Sequence, residues 1–213
     1  MPKSKTDEAD GKRRGRPRAY DREAALLKAM EVFWTAGYSA TSLDDITAAT
    51  GMNRPSIYAA FGDKRGLYLQ ALDYYWQAGL AAMREALVPG VPVREGLMRV
   101  YRAALSIYFP AKQQARGCFG IGTATVETMA HPEIRAKFTE GLEKFDAEFE
   151  TRLKLAKEQG EIASPVDAHA LAMIASATLH TLAIRSRGGA SKASLEKLAQ
   201  SAVDVICGVQ ARD

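Results

Sequence analysis

Arg54 and Tyr58 stand four residues apart, one turn of a helix, with Ser56 and Ala59 beside them. In that spacing both side chains can face one groove of a nucleic acid. Arg14, Arg16 and Arg18 alternate with Gly15 and Pro17. Slim, extended segments of this kind let arginines enter a narrow minor groove. Cys118 follows Arg116 and Gly117. If a helix starts just after Gly117, its N-terminus and the neighbouring cation favour a reactive thiolate; a buried cysteine would instead act as a small hydrophobe. His169, Met173, Ser176 and His180 recur at intervals of four, three and four, on one face of a helix. One histidine per turn without a carboxylate is a poor metal site. Ala170, Ala172, Ala175, Ala177 and Ala183 suit that helix to close packing, so an interface or core face is expected there.

Catalytic groupings are missing. With three histidines in 213 residues there are few general bases, and there is no glycine-rich phosphate loop, paired-carboxylate motif or nucleophile elbow. No metal or other cofactor is expected. Cys118 and Cys207 are too few for a disulfide framework. The apolar stretches run only a few residues, which speaks against a membrane span. The basic N-terminus lacks the apolar centre of a signal peptide, so a cytoplasmic protein is expected. Charge is placed unevenly. The formal net charge is +4, and residues 1–20 hold seven basic and three acidic side chains, which leaves the rest neutral. Residues 21–70 hold five basic and six acidic side chains. Attraction to nucleic acid must then come from focused contacts together with the tail, residues 1–18. Its Arg14–Arg18 run resembles the core of an AT-hook. A solubilising tail is the other reading.

These residues need elements to hold them, and helical periodicity runs nearly the whole length with no strand signal. A first helix is expected from Asp21 to Ala36, with Leu26, Ala29, Met30 and Phe33 on its buried face. Thr41 is expected to cap a short second helix with Asp44 three residues on, and Gly51 to end it. Asn53 can cap a third, with Pro55 in its first turn and Met52 against Ile57 as a staple. Asp63 caps a long helix from Lys64 to about Leu87. Helix, tight turn and second short helix make a helix-turn-helix.

Over residues 19–67 this pattern resembles the DNA-binding domain of the TetR family of bacterial repressors. Phe33, Gly37-Tyr38, Thr41-Ser42, Ile46, Gly51, Ser56-Ile57-Tyr58, Phe61, Lys64 and Leu67 carry the resemblance. It departs at Pro55 and Gly62, where the family often has a small residue and a proline, and at Ala59-Ala60. The resemblance implies an all-α fold: an N-terminal three-helix DNA-binding domain, then a helical ligand-binding and dimerisation domain over residues 68–213. It implies a double-stranded DNA operator, inverted-repeat binding by a homodimer through the last two helices, and release by an unidentified small-molecule effector. Carried over, the DNA-binding residues are Thr41, Ser42, Asn53, Arg54, Pro55, Ser56, Tyr58, Ala59 and Lys64, with Tyr58 and Lys64 gripping phosphates. Arg54 is the base reader.

Beyond residue 70, helices are expected over 93–109, from His131-Pro132-Glu133 to about Gln159, over 165–187 and over 192–209. A segment from Cys118 to Ala130 can be helical despite Gly120 and Gly122, for about nine or ten helices in all. Tyr74, Met83, Met98, Tyr101, Tyr108, Cys118 and Phe119 are the candidates for an effector pocket, since flexible methionines and tyrosines suit an adaptable apolar site. Two triggers stay open: a reversible apolar ligand, or oxidation or alkylation of Cys118. A constitutive DNA-binding protein without effector is a further alternative.

Overall fold

Capping side chains mark the helix starts. In a computed structural model describing residues 21–111, 114–162 and 165–208, Asp21 opens α1 (Arg22–Ala36) by accepting the N–H groups of Glu23 and Ala24. The second cap falls one residue later than expected. Ser42, not Thr41, caps α2 (Leu43–Thr50), and Asp45 rather than Asp44 completes the reciprocal pair with the Ser42 N–H at 2.8 Å. Thr41 is buried and its hydroxyl donates to the Gly37 carbonyl at 2.6 Å, which leaves the Ser42 hydroxyl to accept from the Asp45 N–H at 3.1 Å and to donate to the Asp45 carboxylate at 2.6 Å. Gly51, at φ +72°, turns the chain out of α2 in a conformation that a Cβ would strain. Asn53 then caps α3 (Arg54–Phe61) through the Ser56 N–H, with Pro55 in the first turn.

Phe33, Ile46 and Ile57 are fully buried where these three helices meet, each contributing about 1.5–3 kcal/mol by leaving water. The long helix α4 (Lys64–Ala86) begins beneath them, capped by Asp63, and passes the expected domain boundary at residue 67 without a break. It is followed by α5 (Val93–Tyr108), α6 (Pro132–Glu158), α7 (Ala168–Arg187) and α8 (Lys192–Cys207). The described chain thus has eight α-helices and no strand. Between α5 and α6 the segment expected to be helical is helical over residues 120–127, as a wide π-helix, Gly120–Ala124, that runs into one 3-10 turn, Thr125–Glu127. α7 starts at Ala168 because Asp167 supplies the cap.

Head and body share one core. Tyr68 of α4 meets Phe33 edge-on at 5.1 Å and tilts against Phe119 at 5.7 Å, while Trp34 of α1 lies 5.4 Å from Phe119. Glycines make room deeper in. A Cβ on Gly120 or on Gly141 of α6 would overlap the indole of Trp76, so α4, α6 and the π-helix close around that ring. α5 and α6 pack on α7, and α5 and α7 on α8. Among the described residues no helix is long and apolar enough to cross a membrane.

Candidate nucleic-acid interface and ligand cavity

The start of α3 projects from the head with its polar side chains outward. Asn53, Arg54, Pro55, Tyr58 and Ala59 are exposed and Ser56 is half-buried, while Ile57 and Phe61 turn inward. Tyr58 is 48% exposed and so is not part of the core. Arg54 reaches across the turn to Asp44 of α2 at 2.7 Å, and both side chains remain mostly in solvent. Ser42 is exposed at the start of α2, where its N–H donates to the Asp45 carboxylate at 2.8 Å.

Two expected contact residues are engaged within the head. Thr41 is buried and turned back on Gly37, so its hydroxyl is not presented to a ligand. The Lys64 ammonium donates to the carbonyls of Tyr38 at 3.0 Å and Thr41 at 2.9 Å, and lies 4.5 Å from the centre of the Tyr38 ring. It fastens the α1–α2 turn to α4. Arg14, Arg16 and Arg18, with the rest of the 1–18 tail, lie outside the described residues.

In the body, a cavity of about 220 Å³ opens between α4, α5 and α6. Of the expected pocket residues, Tyr74, Met83, Tyr108 and Cys118 line it. Met98, Tyr101 and Phe119 do not. Met98 is buried elsewhere in the core, the Tyr101 hydroxyl donates to the Ala175 carbonyl at 3.1 Å, and Phe119 is enclosed by Trp34, Tyr68 and Tyr75. Met30 and Trp34 of α1, Tyr75 and Trp76 of α4, and His180 of α7 also form the wall and were not among the expected pocket residues. Aromatic residues and methionines on core faces were the signal, and it does not separate a lined void from a filled core.

Cys118 is not an activated thiol. It is buried, and burial pushes its pKa above the usual thiol value, outweighing the amides of Ile121 and Gly120 and the Tyr75 hydroxyl that donates to it at 3.3 Å. Arg116 points away, pairing with Glu31 of α1 at 2.6 Å and lying 3.7 Å from the centre of the Trp34 ring. The face of α7 divides. His169 bonds Glu150 at 2.9 Å, Met173 is exposed, Ser176 is buried and His180 reaches the cavity. Burial holds the His180 pKa below its usual value, with Asp146 of α6 acting the other way. Among the described residues no cluster of three or more His, Cys, Asp or Glu could hold a metal.

The segment after α5 also ties the head to the body. The buried Glu127 carboxylate accepts from the Ser39 N–H at 3.1 Å and its hydroxyl at 2.8 Å, in the α1–α2 turn. Thr123 shares a 2.7 Å hydrogen bond with Tyr68. The same segment lines the cavity through Cys118 and Ile121.

Residues 25–71 match the family described as bacterial regulatory proteins, tetR family, and residues 95–202 match the tetracyclin repressor-like C-terminal domain. The chain is 35% identical over 191 residues to the HTH-type transcriptional repressor ComR of Escherichia coli (strain K12), covering 90% of each chain. It is 30% identical over 148 residues to the uncharacterized HTH-type transcriptional regulator YezE of Bacillus subtilis (strain 168), covering 70% of this chain and 76% of that one. Among solved structures it resembles the TetR family regulator CifR, a cysteine-substituted form complexed with 26bp double-strand operator DNA. The TM-score is 0.80 at 29% identity, over 89% of this chain and 98% of that one.

Proposed function

The chain belongs to the TetR family of DNA-binding transcriptional regulators, and from this premise we propose a homodimeric repressor that a small molecule lifts from an inverted-repeat operator. The observation that carries the reading is that α1 serves both parts. Its Phe33 packs the helix-turn-helix, while its Met30 and Trp34 wall the cavity. A molecule filling the cavity therefore presses on the reading head itself. Release of DNA follows if the ligand favours one spacing of two such heads over another.

Arg54 reads a base, Tyr58 and Ser42 hold phosphates, and Asn53, Pro55, Ser56 and Ala59 complete the surface laid in the major groove. Lys64 and Thr41 act from behind, by fixing the turn that aims α3. The basic tail supplies flanking minor-groove contacts. Domain limits near 19–67 and 68–213 describe the division of labour, with α4 common to both.

The second copy covers α7 and α8. Ile174 and Ile184 on α7 and Val205 on α8 are 41%, 61% and 67% exposed, an apolar face that a like face covers in a two-fold dimer. Such a dimer sets two recognition helices about 34–36 Å apart, one turn of DNA.

Selecting genomic fragments with the purified protein tests this reading. Recovered sites should share an inverted repeat bound by two protomers. Ile184→Asp should give a monomer in sedimentation and lose operator binding. Specific operator binding by a chain that sediments as a monomer at micromolar concentration would overturn the dimeric reading.

A further inference from the structure

We propose that the cavity takes an uncharged molecule, one ring with short apolar substituents and a single hydroxyl or carbonyl group, and that His180 binds this polar group. The proposal rests on the reading of the cavity as an effector site and names the chemistry of what enters it. Size sets the first limit. An engineered cavity of about 150 Å³ admits benzene, so about 220 Å³ admits a ring with a small substituent or two.

The wall sets the second. Rings of Trp34, Tyr75, Trp76 and Tyr108 and the side chains of Met30 and Met83 face the space, and no ionised side chain lines it. An anion entering there would leave water without a counter-charge, which is costly. Aromatic faces do attract cations, which makes a quaternary ammonium the sharpest rival.

The third limit is the placement of polar atoms. The Tyr75 hydroxyl is spent on Cys118, Tyr108 lies against the same sulfur, and the Tyr74 hydroxyl donates to Glu23 at 3.3 Å. The indole N–H of Trp76 is buried without a partner, but it is pressed on Gly141 of α6. The Trp34 N–H is also buried without a partner, but an indole can only donate and cannot accept the proton of a hydroxyl. His180 differs: among the described residues its ring makes no hydrogen bond, and its neutral form offers one donor and one acceptor. Asp146 of α6 acts on it electrostatically without lining the space, which further disfavours an anionic ligand.

Calorimetric titration of the full chain with four probes of one size tests the proposal: 4-ethylphenol, ethylbenzene, 4-ethylbenzoate and trimethylphenylammonium. The phenol should bind once per protomer, ethylbenzene about tenfold more weakly, and both ions at least about a hundredfold more weakly. His180→Leu should erase the preference of phenol over ethylbenzene while still binding ethylbenzene, and His180→Gln should restore it. An ion that binds as well as the phenol, a preference that survives His180→Leu, or no binding by either neutral compound would each overturn the proposal. These titrations contain no DNA. A phenol that binds yet leaves the operator complex intact therefore counts against the effector reading and not against the chemistry of the cavity.

Discussion

Arg54 must leave Asp44 to reach a base. Because that pair is exposed to solvent it holds the arginine in place at little cost to stability, and a guanine edge replaces one bidentate-capable partner by another. Arg54→Ala should therefore lower discrimination at one position of each half-site by about tenfold, while Tyr58→Phe should weaken operator and random DNA alike. Titrating operators that carry single base changes separates the two, and equal loss on all sequences would remove Arg54 as the base reader. Cys118 makes the opposite case, a residue whose surroundings silence it. Burial favours the neutral thiol, so the thiolate becomes abundant only above the usual thiol range, and Cys207 is likewise pushed up to about 11. Iodoacetamide at neutral pH should leave both unmodified in the native protein by mass spectrometry, and modify both after unfolding. Fast labelling of native Cys118 would revive the oxidation-triggered alternative.

Some helix starts were legible in the sequence because capping is local: Asn53 and Asp63 each bond an amide three residues away. Ser42 was missed in favour of Thr41 because choosing between adjacent hydroxyls depends on which one is buried and turned back on the Gly37 carbonyl. That the helix at Gly120–Ala124 would widen was equally hidden, since Gly120 lies against the Trp76 ring. Lys64 shows the same limit within the site. Its place in the family pattern identified it, but its two carbonyl acceptors belong to a turn more than twenty residues away. Lys64→Met keeps much of the side-chain volume and removes the donors, so it should destabilise the head by about 1–3 kcal/mol. The check is thermal unfolding without DNA. A lysine that only gripped phosphate would leave the melting temperature unchanged and lower DNA affinity alone.

Across the whole molecule, coupling needs an element that touches both the cavity and the head. The segment from Arg116 to Glu127 does so: Cys118 and Ile121 face the cavity, Arg116 holds Glu31 of α1, and Glu127 holds Ser39. Coupling of this kind is a free energy shared between two sites, so cutting the tie should reduce it from both directions at once. Glu127→Ala removes both bonds to Ser39 but leaves the cavity wall and the exposed face of α3 intact. Operator affinity of the free protein and affinity for 4-ethylphenol should then each stay within about threefold of the parent, while the factor by which the phenol weakens operator binding falls toward one. Hydrogen exchange gives a ligand-free check, because the Ser39 amide loses its acceptor and should exchange faster while the amides of α6 do not change. If Glu127→Ala kept the parent's full ligand response, the tie would be only structural, and α1 with Trp34 and Met30 would have to carry the signal unaided.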